Sequence, residues 1–144
     1  MTPPQMREET NSASATEEVG ARLAVRLRPG DVVIVSGELG AGKTTFVRGA
    51  CRALGVKGAV TSPTFEIGHL YDGGPAEIAH LDLYRLPSLA GEDPALLDDY
   101  LTPERIAFVE WPGGAADTIE NVAARVTIEH RGGDRRAIEI ELAR

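Results

Sequence analysis

Short apolar runs and helically spaced apolar positions alternate along the chain, which predicts an α/β domain. Residues 31–36 read DVVIVS, a β-branched run typical of a strand that is buried on both faces of a sheet. Apolar side chains then recur at helical spacing up to Gly55, which favours a helix that ends there. The positions that define this helix are Phe46, Val47, Ala50, Cys51 and Leu54.

The N-terminal part of the chain divides into a polar stretch and a helix. Residues 1 to about 12 are polar, contain prolines and show no periodicity, so we expect a flexible lead-in followed by a domain over 13–144. Ser14 followed by Glu17 is a capping-box pattern, which predicts the start of a helix. Its apolar face consists of Val19, Leu23 and Leu27.

Four further segments have the pattern of strands. Strict alternation over 77–86 puts His80, Asp82 and Tyr84 on one face of a strand. Residues 106–109 are apolar and lead into Glu110, which predicts a second buried strand of a parallel sheet. The segments 125–130 and 137–142 alternate cleanly on either side of a glycine pair, which predicts a terminal β-hairpin.

Residues 37–44 read GELGAGKT and fit the phosphate-loop pattern G-x-x-x-x-G-K-[ST] in full. Glycines such as Gly37, Gly40 and Gly42 let successive backbone N–H groups turn toward an anion at the start of the following helix. Lys43 would reach the β- and γ-phosphates, and the Thr44 hydroxyl would hold Mg²⁺. Thr45 would add a hydroxyl on the α-phosphate side. The alternative is a glycine-rich turn with a solvated lysine, but the strand before the loop and the helix after it favour a nucleoside triphosphate site.

The order strand, glycine loop, helix, strands and hairpin predicts the fold class. We expect α/β architecture in a single P-loop NTPase-like three-layer domain, with a mixed central sheet and a C-terminal β-hairpin.

Two polar side chains after the loop are candidates for catalysis. Thr64 follows the phosphate loop by about 20 residues, where many nucleotide hydrolases keep a mobile threonine near the metal and the γ-phosphate. The alternative for Thr64 is ordinary turn chemistry beside a proline. Asp82 is an acid near the end of a strand, where it could support the Mg²⁺ shell, against the alternative of a solvated strand face. His80 has no neighbouring ligand at metal spacing, which favours a structural role.

Glu110 is the best candidate for contact with the metal or for orienting the attacking water. It stands at the carboxyl end of a predicted parallel strand, where ligands bind in open α/β sheets. The alternative is a capping or salt-bridged glutamate. The turn of the predicted hairpin carries Arg131, Arg135 and Arg136, and although loop-tip arginines are usually solvated, one could reach the nucleotide.

Charge and cysteine content narrow the function classes. Fifteen basic and 22 acidic side chains give a net charge of −7, so the chain offers no broad basic surface for nucleic acid. If the protein acts on RNA, we expect a partner to hold the RNA. The single cysteine, together with the lack of a long apolar run or a signal-peptide core, favours a cytoplasmic location.

Four motifs occur in one order within about 75 residues: GELGAGKTTF at 37–46, SPTF at 62–65, HLDLYRL at 80–86 and VEWP at 109–112. The set resembles the TsaE family, the bacterial ATPase of tRNA threonylcarbamoyladenosine biosynthesis, from roughly residue 14 to the end. The resemblance implies a protein that binds ATP and Mg²⁺ and hydrolyses ATP slowly. It also implies TsaB- and TsaD-like partner subunits, which transfer the threonylcarbamoyl group while the ATPase resets their complex, so that tRNA is contacted only indirectly.

The resemblance also assigns roles to individual residues. The phosphates would be held by Lys43 and by Gly40 to Thr45, which includes Ala41. Thr44 and Glu110 would hold Mg²⁺, Asp82 would support catalysis, and Arg135 would contact the nucleotide. The chain departs from the family pattern over 90–102 and 113–121, which puts partner contacts there in doubt.

Three rival functions differ from a partner-coupled ATPase. A small-molecule phosphotransferase would need an acceptor pocket and a lid with arginines, and the only arginine cluster on a predicted loop is the short hairpin turn. A GTP switch protein is disfavoured because the sequence lacks Asn-Lys-x-Asp and lacks Asp-x-x-Gly after the phosphate loop. The third rival is a nucleotide sensor that binds partners without hydrolysis.

Overall fold

The protein is described here from a computed structural model, which describes residues 5–38, 42–61, 68–83, 95–110 and 119–143. In these ranges a seven-stranded sheet has the order β1-β7-β6-β2-β5-β4-β3. The strands are β1 Gln5–Thr10, β2 Val32–Gly37, β3 Gly68–Asp72, β4 Glu77–Asp82, β5 Arg105–Glu110, β6 Val122–His130 and β7 Arg136–Leu142. The helices are α1 Ala13–Ala24, α2 Lys43–Ala53 and α3 Ala95–Asp98.

The sheet is mixed, as the sequence predicts. Strand β2 lies between β5 and β6 and is parallel to both, and β4 is parallel to β5. Strands β3 and β7 run antiparallel to their neighbours β4 and β6. The predicted C-terminal hairpin is β6–β7, and its first arm is an interior strand of the main sheet. The carboxyl ends of β2, β4 and β5 therefore meet at one edge.

Helices cover one face of the sheet and shorter segments cover the other. Helices α1 and α2 pack over the larger apolar cluster, in which Phe46 and Phe108 are fully buried. The opposite face carries a second cluster built around Ile34 and Leu81, with Leu97 of α3 packed against it. This confirms the predicted three-layer α/β domain. None of the helices in the described ranges has the length and apolar character that a membrane span needs.

The expectation of a flexible lead-in is wrong for Gln5–Thr10. These residues form β1, which pairs antiparallel with β7 so that Met6 lies opposite Ile140. The pairing satisfies backbone groups of β7 that would otherwise be left at the sheet edge. At its end, Thr10 is buried and its hydroxyl lies 2.8 Å from the hydroxyl of Thr16 in α1.

Helix α1 begins two residues earlier than its capping-box pattern predicts. The N-cap is Ser12, whose hydroxyl accepts a hydrogen bond of 3.0 Å from the backbone N–H of Ala15. Two glycines then allow α1 and α2 to touch backbone to backbone. A Cβ atom at Gly49 would lie 1.9 Å from the carbonyl oxygen of Glu17, and one at Gly20 would lie 2.2 Å from that of Phe46.

Candidate active site

The phosphate-loop sequence joins the end of β2 to the start of α2. Gly42 is the N-cap of α2 and has φ of +103°, in the left-handed region that favours glycine. The first backbone N–H groups of a helix have no partner within the helix and attract anions. The strand and helix predicted to flank the loop are confirmed, whereas the loop residues Gly40 and Ala41 lie outside the described part of the chain.

Lys43 is buried at the first position of α2. Its ammonium group donates hydrogen bonds to the carbonyl oxygens of Gly37, at 2.9 Å, and Glu38, at 2.8 Å. Burial lowers the pKa of Lys43, and the negative charges of Glu110, Asp82 and Glu38 oppose that shift. The lysine charge therefore lies within electrostatic reach of two carboxylates at the sheet edge.

Thr44 and Glu110 are in direct contact although they are 66 residues apart in the sequence. The Thr44 hydroxyl donates to the Glu110 carboxylate, with its oxygen 3.1 Å from Oε2 and 3.3 Å from Oε1. Glu110 is the last residue of β5 and only 2% exposed. A hydroxyl and a carboxylate are hard oxygen donors, which suit Mg²⁺. The described residues contain no group of three or more His, Cys, Asp or Glu able to hold a metal ion.

Asp82 lies beside Glu110 at the same edge of the sheet. It is the last residue of β4 and the register partner of Glu110 in the parallel pairing of β4 with β5. Its side chain is half-buried. The structure thus brings together four of the residues singled out from the sequence: Lys43, Thr44, Asp82 and Glu110.

His80, for which the sequence favours a structural role, contacts Glu110 directly. It is fully buried, and its Nε2 is hydrogen-bonded to Oε2 of Glu110. Its Nδ1 lies 3.3 Å from the hydroxyl of Tyr71 on β3. The alternation shared with Asp82 was the available signal, because a polar residue on a buried strand face needs a partner. Tyr71 was missed because β3 was not predicted.

Arg136 lies nearer to the phosphate loop than Arg135, the arginine named from the sequence. A Cβ atom at Gly42 would lie 3.5 Å from Nε of Arg136. Arg136 also donates to the carbonyl oxygens of Gly133, at 2.8 Å, and Arg135, at 2.9 Å, which holds its guanidinium beside the turn. Arg135 is exposed, and both arginines line a cleft of about 400 Å³ bordered by β1 and α1.

Two predicted site residues remain, Thr45 and Thr64. Thr45 lines a small recess together with Gly42 and Arg136. Thr64 lies outside the described residues, so its role stays a prediction.

Comparison with known proteins agrees with this architecture. The family model described as threonylcarbamoyl adenosine biosynthesis protein TsaE matches residues 10–138. The tRNA threonylcarbamoyladenosine biosynthesis protein TsaE of Streptomyces coelicolor is 44% identical over 81% of this chain and 80% of its own length. The Bacillus subtilis protein of the same name is 34% identical over 93% of this chain and 84% of its own. A crystal structure of Bacillus subtilis YdiB is similar over 100% of this chain and 89% of that one, with a TM-score of 0.77 and 28% identity.

Proposed function

The chain belongs to the TsaE family of threonylcarbamoyladenosine biosynthesis proteins, and from that premise we propose that it is a Mg²⁺-dependent ATPase of low intrinsic activity. One observation carries the proposal: Thr44, in the first turn after the phosphate loop, contacts the buried carboxylate of Glu110 at the carboxyl edge of a parallel sheet, and the buried ammonium of Lys43 lies within electrostatic reach of the same carboxylate.

Binding of the triphosphate is supported by the start of α2. The first turn of a helix supplies N–H groups that have no partner within the helix, and Lys43 supplies a positive charge that is buried. An ammonium in a partly desolvated site attracts phosphate oxygens more strongly than a solvated one. In the bound state its hydrogen bonds to Gly37 and Glu38 would be exchanged for bonds to the β- and γ-phosphates.

The Thr44 hydroxyl and the Glu110 carboxylate are the residues that would hold Mg²⁺. When bound, the ion would neutralise charge on the phosphate oxygens. Both donors are oxygens, and Mg²⁺ commonly takes one or two carboxylates together with substrate phosphates. These two donors therefore suit an ion that the nucleotide also binds, rather than a metal held by protein side chains alone.

Hydrolysis requires a water molecule to add to the γ-phosphorus while the bond to the bridging oxygen breaks, which yields ADP and inorganic phosphate. Asp82 and Glu110 end neighbouring strands, so either carboxylate can accept a hydrogen bond from that water. We assign the water-orienting role to this pair, with Asp82 supporting Glu110.

The nucleoside end of ATP would lie in the cleft along β1 and α1. This cleft of about 400 Å³ is lined by Arg135 and Arg136 and lies beside the recess that contains Gly42 and Thr45. An arginine at this position would neutralise phosphate charge.

Action with partner subunits completes the proposal. A net charge of −7 does not favour binding of tRNA, itself a polyanion, by this chain alone. We therefore propose that TsaB- and TsaD-like subunits hold the tRNA in the cytoplasm and transfer the threonylcarbamoyl group, while this chain supplies ATP turnover. Co-purification with those subunits should be stronger with ATP than without it, and equal recovery under both conditions would contradict the coupling.

Measurement of the product separates this function from a small-molecule phosphotransferase. With ATP and Mg²⁺ alone, we expect slow release of inorganic phosphate, which rises when the partner subunits are added. Phosphate that appears only as the phosphoester of an added hydroxylated acceptor would overturn the ATPase and favour the transferase. Nucleotide binding without any phosphate release, with or without partners, would favour a sensor.

A further inference from the structure

A chain of hydrogen bonds crosses three neighbouring strands behind the proposed metal site. His80 stands in β4 and is fully buried. Its Nε2 is hydrogen-bonded to Glu110 of β5, and its Nδ1 lies 3.3 Å from the hydroxyl of Tyr71 in β3. That hydroxyl is also 3.2 Å from the backbone oxygen of Thr61 and 3.2 Å from Nδ1 of His69. The imidazole therefore bridges the proposed active carboxylate and a half-buried tyrosine.

We propose that His80 is a positioning residue, which holds the Glu110 carboxylate in the orientation that meets Thr44. The proposal deepens the proposed function and rests on it. His80 touches neither ATP nor water in this scheme, and it acts through Glu110 alone.

The chemistry of the carboxylate fixes the direction of the hydrogen bond between His80 and Glu110. An ionised carboxylate only accepts, so Nε2 of His80 carries the proton that is donated to Glu110. The Tyr71 hydroxyl has a single proton, which it donates either to Nδ1 of a neutral His80 ring or to the backbone oxygen of Thr61, and when it donates to Thr61 it can accept from a protonated Nδ1. In both cases the ring plane is held at two opposite nitrogens, and the imidazole cannot rotate without breaking a contact.

The burial of Glu110 gives His80 its importance. Glu110 is 2% exposed, so bulk solvent supplies little of the hydrogen bonding that a carboxylate requires, and protein groups must supply the rest. Among the described contacts, Oε1 and Oε2 face the Thr44 hydroxyl, and Oε2 also accepts from His80. Without the imidazole, the glutamate would be free to change rotamer at the cost of its alignment with Thr44. Outer partners of metal-binding side chains typically change affinity or activity by 10- to 100-fold when they are removed.

Two amide substitutions test the contacts at Nε2 and Nδ1 of His80 separately. In His80→Gln the amide nitrogen reaches about as far as Nε2, so the donor to Glu110 is retained. In His80→Asn the amide nitrogen corresponds to Nδ1, so contact with Tyr71 is retained and the donor to Glu110 is lost. His130→Asn is the control, because His130 is exposed and contacts the backbone oxygen of Gly133.

The experiment measures ATP affinity by calorimetry with Mg²⁺ and with EDTA, together with kcat and Tm, on the full chain. For His80→Asn we expect kcat to fall by about 10- to 100-fold. The gain in ATP affinity that Mg²⁺ provides should shrink, while affinity in EDTA stays within about twofold of wild type. His80→Gln should recover most of both losses at a similar Tm, and His130→Asn should match wild type.

Several results would overturn the positioning role. One is an equal loss in the glutamine and asparagine variants, and another is a loss of affinity in EDTA that parallels the loss in Mg²⁺. If the asparagine variant does not fold, NMR of nitrogen-labelled histidine in the wild type tests the positioning role instead. An exchange-protected Nε2 proton of His80 that disappears in Glu110→Ala supports the proposal, and a freely exchanging one contradicts it. Failure of the ATPase itself is distinguishable, because the wild type would then neither bind nor hydrolyse ATP.

Discussion

Asp82 and Glu110 stand directly opposite each other where two parallel strands end together. The strand pairing continues one step beyond them, since the backbone N–H of Leu83 donates to the carbonyl oxygen of Glu110 at 3.0 Å. Both acids are thus fixed by backbone hydrogen bonds rather than by a loop. A site on strand ends holds its side chains more rigidly than one on loops, which suits chemistry that depends on alignment.

Replacement of Lys43 tests the phosphate site. Lys43→Ala removes the buried positive charge at the start of α2, and we expect ATP binding to fall below detection by calorimetry. Lys57→Ala is a matched control, because it removes the same charge from an exposed position. Equal affinity in the Lys43→Ala variant and the control would exclude this lysine from the nucleotide site.

The two hairpin arginines can be ranked by single substitutions. Arg136→Gln should weaken ATP binding by roughly tenfold, as expected for the loss of one charged hydrogen bond. Arg135→Gln should have a smaller effect, because Arg135 is exposed and Arg136 lies beside Gly42. The comparison uses ATP affinity at constant ionic strength. A larger loss in Arg135→Gln would support Arg135, the arginine that the resemblance assigns to the nucleotide.

The contact between α1 and α2 should not tolerate a side chain at Gly49. Gly49→Ala would place a Cβ atom 1.9 Å from the carbonyl oxygen of Glu17, which is backbone and cannot rotate away. We expect the free energy of unfolding to fall by roughly 1–3 kcal/mol or more, as overpacking does in other cores. Gly58→Ala is the control, since a Cβ atom there meets nothing within 4 Å. Equal urea midpoints for the two variants would show that the helices separate easily.

The thiol of Cys51 should be unreactive in the native protein. Burial raises its pKa to about 12, so the thiolate needed for alkylation is scarce at pH 8. Because the unfolded chain titrates at a lower pH, this group contributes stability that is present below the ordinary thiol pKa and is lost as pH rises toward 12. Alkylation at pH 8 should be slow without urea and fast in it. Rapid native labelling would contradict the burial.

The parts of the fold that were predictable have local signals. The strand before the phosphate loop and the strand that ends on Glu110 are continuous apolar runs. Runs of that kind are typical of strands buried on both faces of a sheet. Strand β1 was missed because its side chains are largely exposed and show no alternation, so only its pairing with β7 defines it.

The contacts among the residues named from the sequence were not predictable. The link from His80 to Glu110 joins residues 30 apart, and no spacing rule reveals it. The proximity of Arg136 to Gly42 was not predictable either. Adjacent side chains at the start of a strand point in opposite directions, and the sequence does not say which one faces the loop.

Release of labelled phosphate from ATP tests the central claim most directly, with Mg²⁺ present and wild type compared with Glu110→Gln. The amide keeps the size of the side chain but removes the charge that faces Thr44. We predict slow release of inorganic phosphate by the wild type and a rate lower by about 100-fold or more in the variant, with ATP affinity changed much less. Equal rates in the two proteins, or no phosphate from either, would contradict the assignment of ATP hydrolysis to this site.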